Sequence, residues 1–143
     1  MKFGILKKED LNVSVQEQIS ELFKQLSAEK KQTSLCTILN SNNSVTVAYC
    51  TEGNQIIGIA LMAEYKVISG YKGWIEDVIV NKNYRGQGIG RNLVELLIKE
   101  GKIKNFNEFL LFTEDEKKPA INLYKSLGFD MDESKIYILK NKT

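Results

Sequence analysis

A chain of 143 residues is of a size for one domain with a real core, and the expected organisation is a single domain over residues 1–143. With 43% hydrophobic and 27% charged residues it reads as an ordinary soluble globule, and a net charge of +2 without a basic stripe gives no ground for nucleic-acid binding. Two cysteines in no ligand spacing, and no histidine, exclude metal sites of the usual zinc kind and every histidine-based triad.

Lys2 to Leu6 suits an opening strand, and its apolar stretch is too short for a signal peptide. Ser14 with Glu17 makes a capping-box pattern, after which Ile19, Leu22, Phe23 and Leu26 recur on one helical face. A second helix is expected over Thr33 to Leu39, closed by the polar run NSNNS. Val45 to Cys50 and Gln55 to Tyr65 are strands of an antiparallel hairpin about Glu52, Gly53 and Asn54. VISGYKG reads as a loop, and Trp74 to Val80 as the next strand.

Ile89 to Lys102 carries a broad apolar helical face, including Leu93, Val94, Leu96, Leu97 and Ile98. Phe109 to Phe112 is a buried strand. The only proline, Pro119, fits the first turn of a last helix that stops at Gly128, and Lys135 to Lys140 alternates as a final strand. The order is roughly β-α-α-β-β-β-α-β-α-β. Its central strand–helix–strand unit forces two parallel strands into an otherwise mostly antiparallel sheet. No window approaches a membrane span, and Cys36 and Cys50 read as free thiols, so the expected location is cytoplasmic.

The chemistry-bearing stretch is Tyr84 to Arg91, YRGQGIGR, between a strand and a helix. A helix start presents unpaired amides and a partial positive charge, and glycines let backbone donors approach an anion closely. A P-loop needs Lys-Ser/Thr after its last glycine, whereas Gly90 is followed by Arg91 and Asn92. The dinucleotide fingerprint fails in both registers, since the sixth position is Arg91 or Leu93 rather than glycine. Arg85-Gly86-Gln87-Gly88-Ile89-Gly90 remains, an R-x-x-G-x-G pattern.

That pattern, with the hairpin and WIEDVIV before it and PAINLYKSLGF after it, resembles the GNAT family of N-acetyltransferases over most of the chain. The resemblance implies an α/β (α+β) fold with a mixed, mostly antiparallel central sheet and helices on both faces, and acetyl-CoA as cosubstrate. It implies that the strands flanking the central helix splay, so that backbone along Val78, Ile79 and Val80 pairs with the pantetheine arm. The amides of Gln87, Gly88, Ile89, Gly90 and Arg91, opened by Gly86, would hold the pyrophosphate. Arg85 and Arg91 would add charge or stand in solvent.

Acetyl transfer to an amine needs a base, because a primary amine with a pKa of about 10.4 is mostly protonated at neutral pH. Glu76 and Asp77 are consecutive acids in WIEDVIV, pointing to opposite faces unless a bulge intervenes. Burial of one would raise its pKa toward working pH; Glu76, through a water, is the first candidate and Asp77 the second. The resemblance assigns Tyr124, in NLYKSLGF, as hydrogen-bond donor to the departing CoA sulfur. Many family members carry asparagine seven residues earlier. Here that position is Lys117, with two readings: contact with the CoA phosphates, or solvation.

The expected acceptor is a small-molecule amine, bordered by the first two helices and by YKVISGYKG. The alternatives are a protein N-terminus or lysine, and a CoA-binding module without turnover. Similar domains frequently dimerise, which makes a homodimer one expected arrangement.

Overall fold

The computed structural model describes residues 1–141, and its described residues divide into two compact units, the second beginning at Thr113. The first holds a five-stranded sheet in the order β1-β2-β3-β4-β5: β1 (Lys2–Leu6), β2 (Val45–Glu52), β3 (Gln55–Val67), β4 (Gly70–Val80) and β5 (Glu108–Leu111). The first four are antiparallel neighbours in chain order, and β5 alone runs parallel to β4. The helix between β4 and β5 imposes that parallel pairing, because its crossover returns the chain in the same direction. The mixed, mostly antiparallel α/β sheet is therefore as the sequence implied.

Three helices accompany this sheet: α1 (Val13–Lys24), the short α2 (Leu35–Ile38) and α3 (Ile89–Ile103). Ile19, Leu22 and Leu35 pack with Val47, Ile59 and Ile79 in one core cluster. One residue before Ile59, Gly58 instead meets Ile89 and Leu93 of α3. Adjacent strand residues point to opposite faces, so α1 with α2 and α3 cover opposite sides of the sheet. On α3, Ile89, Leu93, Val94 and Leu97 are fully buried, and Gly101 lies so close to Phe109 that a Cβ would collide with the ring.

Several boundaries differ from the sequence reading. Helix α1 starts one turn's edge earlier, because the Asn12 side chain, rather than Ser14, caps it by accepting from the Val15 amide at 2.8 Å. Ser14 accepts from Gln18 instead, and Leu26 lies beyond the helix end and is exposed. Helix α2 is shortened to Leu35–Ile38 with Ser34 as cap. VISGYKG is not a loop: β3 runs to Val67 and β4 begins at Gly70, so a two-residue turn at Ile68-Ser69 closes one long hairpin. β5 is half-buried rather than buried.

In the second unit, α4 (Lys118–Ser126) carries Pro119 in its first turn. Gly128, at φ +97°, reverses the chain, and the Phe129 amide returns to the Tyr124 carbonyl at 3.0 Å. The expected strand Lys135 to Lys140 is not formed, and Tyr137 and Leu139 are almost wholly exposed. Alternation prepares a strand, but only hydrogen bonding to a neighbour makes one, and among the described residues this segment has no ladder partner. No helix among the described residues is long and apolar enough to cross a membrane.

Candidate active site

The site in the first unit is built from the last half of β4 and the loop that leads into α3. Parallel pairing with β5 runs only from Lys72↔Glu108 to Ile75↔Leu111. From Glu76 onward, the outer edge of β4 has no strand neighbour among the described residues. Such an edge presents unpaired peptide groups to any extended amide-bearing chain.

The inner edge is irregular at the same place. β3 pairs Ile59 with Ile79 but Leu61 with Glu76, so Asp77 and Val78 together oppose Ala60. This is a bulge, and Asp77 takes its strain at φ +50°, in the left-handed region that aspartate tolerates better than most side chains. The alternation expected across Glu76 and Asp77 is thereby broken: both side chains are exposed. Beyond the bulge the Asn81 amide donates to Ile57 at 2.8 Å, so Ile79 turns its peptide groups toward β3 and Val80 turns its own outward. Ile79, expected to bind cofactor, is a core residue whose side chain is buried against the α1 face.

The loop follows at once. A 3-10 turn (Lys82–Tyr84) is capped by Asn81, whose side chain accepts from Asn83 at 3.0 Å. The Lys82 amide donates to Gln25, the residue capping the end of α1, at 2.9 Å. Arg85 donates through Nε to the Val80 carbonyl at 3.1 Å. Gly86 and Gly88 then stand at φ +82° and +79°, and neither has an atom within 4 Å of where a Cβ would be. Glycine is required there for its backbone conformation, and the space above it is open.

Gly88 is the N-cap of α3 and makes no side-chain cap, so the helix begins with its positive dipole end and backbone donors of the kind that bind anions. The Ile89 side chain is buried under the sheet. Arg91 does not stand clear in solvent: its Nε pairs with Glu95 Oε1 at 3.0 Å along α3.

Glu76 has its pKa raised, first by partial desolvation and then by the negative charge of Asp77, with the Lys30 ammonium acting in the opposite sense. Although its side chain reaches solvent, it is the acid whose environment moves it toward neutral pH. Lys30 lies in the segment between α1 and α2. Neither its influence nor that of Gln25 carries a local signal, because each acts on residues some fifty positions away in the chain.

Tyr124 and Lys117 belong to the second unit. Tyr124 is half-buried on α4, edge-on to Phe129 with ring centroids 6.0 Å apart, and burial raises the pKa of its phenol. It is therefore a neutral hydroxyl donor throughout the physiological range. Lys117 is exposed at the N-cap of α4.

A family model described as "Acetyltransferase (GNAT) family" matches residues 12–129. Thialysine N-epsilon-acetyltransferase of Mus musculus is 35% identical over 86 residues, covering 59% of this chain and 51% of that protein. N-alpha-acetyltransferase 30 of Saccharomyces cerevisiae is 40% identical over 58 residues, covering 41% of this chain and 33% of that protein. These alignments span about half or less of the curated relatives. Among solved structures, an aminoglycoside acetyltransferase from an uncultured soil metagenomic sample superposes with a TM-score of 0.83 at 21% identity, covering 99% of this chain and 96% of that one. This last likeness is one of fold.

Proposed function

Since the chain belongs to the acetyltransferase (GNAT) family, we propose that it moves an acetyl group from acetyl-CoA to the primary amine of a small molecule by direct attack in a ternary complex. The observation that carries this reading is the junction of an open strand edge with a left-handed glycine loop and an uncapped helix start. A diphosphate suits the amides from Gln87 to Arg91, and the amide-bearing arm of the cosubstrate suits the Val78 backbone and the Val80 amide, the Val80 carbonyl being held by Arg85.

The amine must lose a proton before or as it attacks the thioester carbonyl. Glu76 accepts that proton, through a water, and its raised pKa suits a base working near neutral pH. Asp77, next in the chain and strained in the bulge, stands second for this role and keeps the local field negative, which favours a cationic acceptor. As the carbon–sulfur bond breaks, the sulfur leaves as a thiolate. Tyr124, neutral and half-buried, donates its phenol hydrogen to that sulfur on the family's pattern.

Small amines as acceptors are supported by the mouse relative, a thialysine N-epsilon-acetyltransferase. The yeast relative, an N-alpha-acetyltransferase, favours a second reading in which the amine is a protein N-terminus. Two unpaired thiols, Cys36 and Cys50, suit the reducing cytoplasm as the place of action. The test is an acetyl-CoA-dependent thiol-release screen across amino sugars, polyamines, amino acids and peptides, with calorimetry of coenzyme A binding. Turnover of small amines over peptides supports the first reading, the reverse supports the second, and no heat with coenzyme A removes both.

A further inference from the structure

Arg85 opens the glycine loop, and its side chain is already engaged. Its Nε donates to the carbonyl of Val80, five residues back, at 3.1 Å. Val80 turns that carbonyl outward, away from β3. The chain enclosed by this bond is tied at every step: Asn81 to Ile57, Lys82 to Gln25, Asn83 to the Asn81 side chain and Tyr84 to the Asn81 carbonyl. The loop that follows is less tied: no atom beyond the chain neighbours lies within 4 Å of where a Cβ would stand on Gly86 or Gly88. Two glycines without side chains to lock them do not aim themselves, so their direction is set from the two ends. One end is α3, anchored by the buried Ile89 and Leu93. The other is Arg85.

We propose that Arg85 is a positioning residue: its bond to Val80 aims the loop amides, and its positive charge is not what holds the anion. The proposal rests on the acetyl-CoA reading for the identity of the ligand, but the clamp itself is a property of the ligand-free chain. It also makes a chemically unusual demand. Glutamine places its Nε2 the same number of bonds from Cα as arginine places Nε, so a neutral amide can make the same hydrogen bond. Lysine keeps the charge but puts a methylene at that position and its donor one bond further out. Neutral Arg85→Gln must therefore outperform charged Arg85→Lys.

The experiment compares wild type, R85Q, R85K and R85A by calorimetry with coenzyme A at low and high salt, and by amide hydrogen exchange without ligand. R85Q is expected to bind within about threefold of wild type with an unchanged salt dependence, and R85K and R85A about tenfold more weakly. In the ligand-free proteins the amides of Asn81, Lys82 and Tyr84 are expected to exchange faster in R85K and R85A but not in R85Q. R85Q binding as weakly as R85A, with a shallower salt dependence, would overturn the proposal in favour of a direct phosphate contact. Four proteins binding alike, or exchange unaltered by any substitution, would equally overturn it. Failure of wild type to bind coenzyme A would remove the acetyl-CoA reading and leave the exchange comparison to decide the clamp. If R85A does not fold, the order of R85Q and R85K decides alone.

Discussion

Replacing Gly88 by alanine separates what its backbone does for the fold from what it does for a ligand. Gly88 stands at φ +79° and Gly53, in the turn between β2 and β3, at φ +59°, and at neither would a Cβ meet an atom within 4 Å. Both substitutions therefore bring the same penalty of left-handed backbone and no collision. That penalty is about 1–2 kcal/mol at each site, or a fall in Tm of roughly 2–8 °C for a chain of this size. Only Gly88 lies at the start of α3, where a Cβ would also take up space left open to a ligand. Coenzyme A affinity is expected to fall by about tenfold or more in Gly88→Ala, equivalent to ~1.4 kcal/mol, and not at all in Gly53→Ala. Thermal unfolding and calorimetry on the same preparations make the comparison. Equal coenzyme A affinity in the two variants would refute the placement of the diphosphate on these amides.

Glu76→Gln is expected to lower kcat by about 10²-fold or more if this carboxylate is the base, and to remove the acidic limb of the kcat/KM profile; a surviving limb assigns it to Asp77. The same substitution predicts a stability effect of definite sign. The folded pKa of Glu76 lies above its unfolded value, so the native state binds more protons and stability is lost as pH rises from the ordinary carboxylate range through the raised folded pKa. Glu76→Gln should thus be the more stable protein at neutral pH, with the advantage vanishing in acid, as followed by urea unfolding. Tyr124→Phe should reduce kcat far more than it raises the KM for acetyl-CoA, and an unchanged kcat would exclude the phenol from the chemistry. Away from the site, Lys104 Nζ reaches both oxygens of Glu64 at 2.8 and 3.1 Å and the buried Thr46 hydroxyl at 3.1 Å, while Thr46 donates to Glu64 at 2.6 Å. Lys104→Ala leaves a nearly buried carboxylate with one partner and should destabilise by about 1–3 kcal/mol in urea titrations, with little change in coenzyme A affinity.

Much of this protein was legible because the signals are local. The hairpin from β2 to β3, the α3 face from Ile89 to Leu97 and the stop at Gly128 each follow from side chains within a few residues, where period and φ preference decide. The glycine loop was legible for the same reason: Gly86 and Gly88 do occupy left-handed backbone, and R-x-x-G-x-G carried the family assignment. The errors are equally physical. Ser14 and Asn12 are both good caps; Asn12 takes the Val15 amide, and Ser14, inside the helix, accepts from Gln18 instead. VISGYKG has turn residues at its centre, yet Val67 and Gly70 still pair, because the two strands already extend to meet there.

The sequence by itself determined the order of elements through the last helix, the glycine loop, the two candidate acids and the helix tyrosine, since each depends on residue type and short-range spacing. Tertiary structure alone decided the bulge at Asp77, the end of β4–β5 pairing at Ile75, the burial of Ile79, and the bonds from Arg85 to Val80 and from Gln25 to Lys82. A bulge is a mismatch in count between two strands, and an open edge is a partner that has turned away. Neither is a property of one segment, so no pattern within β4 could have announced them.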